Sequence, residues 1–166
     1  MRVLFVAAAL VVLAGCAGPR SAAVPPGCDA LVFDLERGLL NGLAPTATPA
    51  EFKAQFPCST GETEEGGPFN FGGGVFFLDH DFFAYTHRDY IEARTNFAGR
   101  VEPAVLNAPV AELEAAFGAP GREEDGARLY RTRYGCLRAE TSETSGDTVV
   151  ELGVHAQACA DVIVPR

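Results

Sequence analysis

The sequence predicts an α+β fold: short helices packed on an antiparallel sheet, with a tandem repeat of two helix–sheet units. Three observations carry this. Two short amphipathic segments, "AEFKAQF" at 50–56 and "AELEAAF" at 111–117, are identical at four of seven positions. Each is followed by a breaker and an acidic stretch, Glu62–Glu65 or Glu123–Asp125. Each acidic stretch leads into β-prone runs punctuated by polar turns.

The elements follow in chain order. Asp29 is a good N-cap, and Leu31, Leu35 and Leu39 recur every four residues beside Val32, so the spacing predicts a helix over 29–42, stopped by Asn41-Gly42. Thr48-Pro49-Ala50-Glu51 is a capping box with proline at the first helical position. A second helix follows it, with Phe52 and Phe56 one turn apart and Pro57 as its stop. An antiparallel hairpin of these helices brings Cys28 to Cys58. Residues 59–74, with six glycines and Glu62, Glu64 and Glu65, read as a solvated loop; the ligand spacing of a calcium loop is absent. Val75–Leu78, Phe82–Tyr85 and Tyr90–Thr95 then form a meander, with turns at Asp79-His80-Asp81 and His87-Arg88-Asp89. Val110, Leu113 and Phe117 have helical spacing after Pro109, and Gly118 and Pro120 end that helix. Residues 127–138 and 148–159 read as two strands joined through Ser145-Gly146-Asp147, which places Cys136 near Cys159.

The first residues give an address. Val3–Leu13 is an uncharged apolar run of 11 residues after Met1-Arg2, short of the roughly 20 that span a bilayer. Residues 1–15 therefore read as a signal peptide. Leu13-Ala14-Gly15-Cys16 resembles the lipobox of bacterial lipoproteins. The resemblance implies that Cys16 is the lipidated residue and anchors the chain to the cell membrane or outer membrane, with the domain periplasmic or extracellular. Ala17 departs from the Asp that signals inner-membrane retention in that family, which favours the outer membrane where there are two. Residues 16–27, rich in Pro, Gly and Ala, form the lipidated tether, and 28–166 the single domain, with repeat units 28–100 and 101–166.

Loss of Arg2 with the leader leaves 12 basic against 22 acidic residues, a balance of −10. That argues against nucleic acid as a partner. Apart from Cys16 there are four cysteines, Cys28, Cys58, Cys136 and Cys159, none in a C-x-x-C. An even count in an exported chain reads as two disulfides, Cys28–Cys58 and Cys136–Cys159.

The stretch "LNAPVAELEAAFGAPGREEDGARLYRTRYG" resembles small outer-membrane assembly lipoproteins (SmpA/BamE-like) and the β-lactamase inhibitor protein. Phe117-Gly118-Ala119-Pro120 and the strand at 127–134 carry the likeness; Phe56-Pro57-Cys58 departs from it. The resemblance implies a layered α+β module that binds proteins through its sheet and loops.

Chemistry is sparse. There is no Gly-x-Ser-x-Gly, and Gly72-Gly73-Gly74 lacks the Lys-Ser/Thr of a phosphate loop. No catalytic residue, cofactor or metal site is assigned. His80 and His87 lie seven residues apart, about 23 Å along a strand, too far to share an ion. A rival reading is a hydrolase or metal-binding protein using His80, His87 and nearby carboxylates such as Asp81 and Asp89, with His155 drawn in. Two features suit an envelope-protein partner: aromatic residues of the meander, with Phe77, Phe83 and Tyr85 as contact candidates, and the basic run Arg128, Arg131, Arg133 and Arg138, with Arg131 and Arg133 as contacts. Their plainer readings are a sheet packed on both sides and cross-strand ion pairs.

Overall fold

The computed structural model describes residues 27–64, 73–142, 144 and 146–163. Cys16, the leader and nearly all of the tether therefore lie outside the described residues, as do Glu65 and Ser145. No helix among the described residues is long and apolar enough to cross a membrane.

Strands β1 (Val32–Asp34) and β2 (Leu39–Leu40) form a hairpin, helix α1 spans Pro49–Gln55, and β3 is Gly61–Thr63. The meander follows as β4 (Gly74–Phe77), β5 (Phe82–Tyr85) and β6 (Tyr90–Arg94), with a 3-10 turn at Leu78–His80. After β7 (Arg100–Glu102) come α2 (Val110–Phe117), β8 (Arg122–Glu124), β9 (Ala127–Arg131), β10 (Cys136–Thr141) and β11 (Val149–His155). This is an α+β fold. The large sheet has the order β3-β4-β5-β6-β11-β10-β9-β8, with every neighbouring pair antiparallel. A helix followed by four strands thus occurs twice, and the two runs meet at β6–β11. Pro49 to Val110 and Gly61 to Arg122 are each a step of 61 residues. β1 pairs with β2 and, in parallel, with β7 to make a second, three-stranded sheet.

Both helices lie on one face of the large sheet. Phe56 of the α1 C-cap packs edge-on against Phe77 (5.7 Å) and Phe82 (5.5 Å), and Phe117 of α2 meets Tyr130 at 6.2 Å. The capping box forms as read: the Glu51 N–H donates to Thr48 Oγ1, and the Thr48 N–H to Glu51 Oε2 at 2.8 Å. Alternate strand residues Val75, Phe77, Phe82, Ala84, Ile91, Ala93, Leu137, Ala139, Leu152 and Val154 join Phe33, Phe52 and Leu113 in one core.

Three expectations are corrected. Residues 29–42 are not a helix. Leu31, Phe33 and Leu35 are buried while Val32 and Asp34 are half-buried, a period of two that the four-residue leucine spacing masks. The turn is fixed locally: Asp34 Oδ1 accepts from the Arg37 N–H at 2.9 Å, and Gly38 adopts φ 71° beneath the Tyr134 ring, where a Cβ would come within 2.5 Å. Residues 127–138 are two strands rather than one, since Gly135 turns the chain between β9 and β10. The short edge strands β3 and β8 occupy positions read as loop.

Both disulfides form as read, but neither by the route expected. Cys28–Cys58 closes without a helical hairpin, because the Gly27 N–H donates to the Gln55 carbonyl at 2.9 Å and draws the domain's start to the end of α1. Cys136 pairs in register with His155, and the turn after β11 returns Cys159 to within 4.9 Å, Cα to Cα.

Candidate functional site

Strand register sorts the other, far face of the sheet into rows. One row runs Phe76, Phe83, Glu92, Gly153, Arg138, Leu129; the next runs Tyr85, Tyr90, His155, Cys136; a third runs Arg94, Glu151, Glu140. Aromatic rings occupy the first half of the sheet. Charges straddle the β6–β11 seam. The end of the chain covers part of the second half, where Cys159 and Val162 pack on Ala127, Leu129 and Cys136, and Arg122 Nη1 donates to the carbonyls of Cys159 and Val162.

The seam holds buried charged groups. Glu92 and Arg138 are 3% and 5% exposed. Arg94 reaches Glu92 at 2.5 Å and Glu151 at 3.4 Å, with its guanidinium 4.3 Å from the centre of the Phe83 ring. Arg138 contacts Glu151 at 3.1 Å and Glu92 at 4.0 Å, and pairs with Glu140. Gly153 lies between Glu92 and Arg138 in the register, so no side chain stands where the arginine crosses β11. Two guanidiniums thus serve three carboxylates. Burial, reinforced by Glu151, outweighs the arginines and pushes the Glu92 carboxyl up to about 7.

His155 is also buried. Its ring stacks on Tyr90 at 4.5 Å and Tyr90 on Tyr85 at 4.3 Å. Burial, then the Arg138 charge, lowers its imidazole to about 3, so it stays neutral at physiological pH. Its Nε2 is buried without a partner. Burial also raises Tyr85 to about 12. Perturbed groups of this kind mark functional sites and buried ion networks alike. Here the register neighbour of His155 is Cys136, whose sulfur is committed to Cys159, and each carboxylate is engaged by an arginine. The arrangement locks the two halves of the sheet together.

The residues singled out from sequence divide accordingly. Phe77 is corrected as a contact residue: it is fully buried on the helix face, stacked on Phe82 at 4.1 Å. Its neighbour Phe76 points the other way. Phe83 and Tyr85 do lie on the far face but keep only 8% and 5% exposure, so they too are packed rather than offered to a partner. Side chains of the same face, Phe76, Tyr90 and Arg94 among them, cover them there. Of the basic run, Arg128 pairs with Glu123 at 3.6 Å and Arg138 joins the seam. Arg131 and Arg133 are exposed and form no ion pair among the described residues.

His80 and His87 stand in turns at opposite ends of β5, as the spacing predicts. His87 is exposed. His80 is half-buried, with Nδ1 buried and unpartnered. Among the described residues, one set of three or more His, Cys, Asp or Glu side chains is close enough to share an ion, Cys28, Cys58 and His80, and it includes neither His87 nor a carboxylate.

Sequence reasoning missed Glu92 and the seam. The available signal was a glutamate inside "YIEAR", centred in a strand whose neighbours are apolar. No family model, no curated protein and no solved structure matches this chain.

Proposed function

We propose that this chain is a membrane-anchored cell-envelope lipoprotein whose domain is a non-catalytic protein-interaction or assembly module. Leu13-Ala14-Gly15-Cys16 supports the anchor, through Cys16, at the cell membrane or outer membrane. The helix-then-four-strands order, met twice at a spacing of 61 residues, supports a duplicated module of the kind implied by the SmpA/BamE-like and β-lactamase-inhibitor-like resemblance.

The observation that carries the binding half is the pair Arg131 and Arg133. In a chain with net charge −9, two exposed guanidiniums that form no ion pair among the described residues are poised for an acidic surface on an envelope protein. The backbone that carries them is anchored: Arg131 ends β9, and Tyr134 beside them is seated over Gly38. A mobile surface arginine loses more entropy on binding than one carried by a fixed turn.

Cross-linking in native membranes tests the whole reading. Wild-type chain is expected to label with a palmitate analogue and to capture a discrete envelope protein. Cys16→Ser should lose the label. Arg131→Glu with Arg133→Glu should keep the label and the fold while capture drops several-fold and loses its sensitivity to salt. Capture unaffected by charge reversal would remove these arginines from the interface, and a Cys16→Ser chain that still labels would end the lipoprotein reading.

A further inference from the structure

Cys28, Cys58 and His80 come from three separate places: the start of the domain, the segment after α1, and the 3-10 turn after β4. Their ligating atoms nevertheless all lie within 4.8 Å of one another. We propose that they form a redox-gated site for a thiophilic divalent metal ion, zinc in the physiological case, closed while the Cys28–Cys58 disulfide stands and opened when a dithiol reduces it.

The chemistry balances as follows. A dithiol reductant gives two electrons and two protons to the Cys28–Cys58 bond and leaves as its own cyclic disulfide; each cysteine becomes a thiol. The metal ion then displaces the two thiol protons. Two thiolates and one imidazole nitrogen complete three positions of a tetrahedron, and the fourth falls to water or an incoming donor.

Geometry favours this over a histidine merely resting on a bridge. At ordinary bond lengths of about 2.3 Å to sulfur and about 2.0–2.1 Å to nitrogen, ligands of one zinc ion stand about 3.6–3.8 Å apart. The present spacing requires shifts on the order of 1 Å once the sulfurs are free to separate. The backbone holds the three residues together without help from the bridge. The Gly27 N–H donates to the Gln55 carbonyl, the Thr60 N–H to Phe76 at 2.8 Å, and the Leu78 N–H to Thr60 Oγ1 at 3.0 Å. The Ala98 N–H donates to the His80 carbonyl at 3.0 Å, and Asp81 turns the chain with φ 52°. His80 Nδ1, buried and without a hydrogen-bond partner, gains one in the metal.

Selectivity follows from access. Cys136 and Cys159 are 0% and 7% exposed, whereas Cys28 and Cys58 are only half-buried. A reductant reaches the first bridge before the second.

The experiment uses the full chain in detergent with Cys16→Ser, so that no other free thiol competes. After brief dithiol treatment and removal of the reductant, cobalt(II) is titrated as probe. One equivalent should bind with the thiolate-to-cobalt charge-transfer band and visible bands of tetrahedral cobalt, and zinc should displace it. The oxidised chain should show neither. His80→Ala should weaken binding by at least about tenfold, the least expected for loss of a direct ligand, and Cys28→Ser with Cys58→Ser should abolish it. Peptide mapping should find Cys136–Cys159 intact. The proposal is overturned by absence of the charge-transfer band, by equal affinity in His80→Ala, by a Cys136–Cys159 bridge that opens first, or by reduction that unfolds the domain without recovery on adding cobalt.

Discussion

The two faces of the large sheet are built from the same strands by opposite chemistry. Phe82 and Phe83 are adjacent in sequence and point to opposite faces. Phe82 stacks on Phe77 at 4.1 Å and meets Phe56 and Phe97 edge-on, in a core closed by both helices. Phe83 meets Phe76 at 5.9 Å, Tyr85 at 6.2 Å and the Arg94 guanidinium at 4.3 Å, in a layer that passes within a few residues from rings to buried charges. Burial alone does not distinguish them, since both are buried. What differs is whether the neighbours can close a gap. A core of rings packed on two sides cannot, whereas a layer of long arginine side chains can move into it.

The largest expected effect tests that difference. Phe82→Ala should cost about 3–5 kcal/mol, as for a fully packed core phenylalanine, and Phe83→Ala about 1–3 kcal/mol less than that. Chemical denaturation of both variants at one pH is the measurement. Equal losses would mean that the far face is as rigid as the core.

The core face was legible in sequence and the seam was not, for physical reasons. Helical spacing places Phe52, Phe56 and Leu113 on the buried side of the helices, and β-prone runs between polar turns give the strands of the meander; alternation of apolar residues reports which side of a strand meets the helices. The same alternation in Leu31, Phe33 and Leu35 was overridden by a leucine spacing of four, because Leu31 and Leu35 satisfy both periods; only Gly38 and Asn41, with φ of 71° and 45°, decide for the hairpin. Phe77 was misread as a contact residue because an adjacent Phe-Phe pair does not say which member faces the helices. Cross-strand ion pairing is the plainer reading of Arg138 and it forms, but its partners Glu92 and Glu151, with Arg94, were out of reach for another reason. They meet only because β6 pairs with β11, across some 60 residues of chain, and that pairing is a property of the whole topology. The His80 neighbourhood was hidden in the same way: its spacing to His87 correctly separated the two histidines, but nothing local places His80 beside Cys28 and Cys58.

Titration separates the faces more sharply, because the buried carboxylate of Glu92 and the buried imidazole of His155 both lie on the far face. The Glu92 carboxyl, raised to about 7 from an ordinary 4.5, binds its proton more tightly in the folded state. Its contribution is fully present below pH 4.5 and is lost as pH rises through 7. The His155 imidazole, lowered to about 3 from 6.5, has the opposite sign: its contribution is present above pH 6.5 and lost as pH falls through 3. Glu92→Gln should therefore melt higher than wild type above pH 7, with the gain gone by pH 4. His155→Phe, which keeps the stack on Tyr90, should flatten the acid loss between pH 6.5 and 3. Melting temperatures across pH 3–9 check both. A gain for Glu92→Gln that is independent of pH would mean that the carboxylate is not the group responsible.

The smallest effect is expected at Gly153, the gap on the far face, and it is the most diagnostic of how that face is packed. A Cβ at Gly153 would lie 3.0 Å from His155 Nε2 and 3.7 Å from Arg138 Cβ. Two influences oppose each other. Replacing glycine with alanine in a strand restricts the unfolded chain and by itself stabilises by about 0.4–1 kcal/mol where the backbone allows it, as a φ outside the left-handed region does here. Against this, His155 must give way, and its ring is held in the stack on Tyr90 and Tyr85. Gly153→Ala should therefore destabilise the wild type by roughly 1 kcal/mol, an overpacking cost at the low end of its usual range. Placed on His155→Ala, the same substitution has nothing to push aside and should stabilise by a few tenths of a kcal/mol. The double-mutant cycle reads the difference directly, and a coupling of about 1 kcal/mol is within what touching residues show. Additive effects would mean that the His155 ring swings away at no cost, and the stack on Tyr90 would then be no part of what holds the two halves of the sheet together.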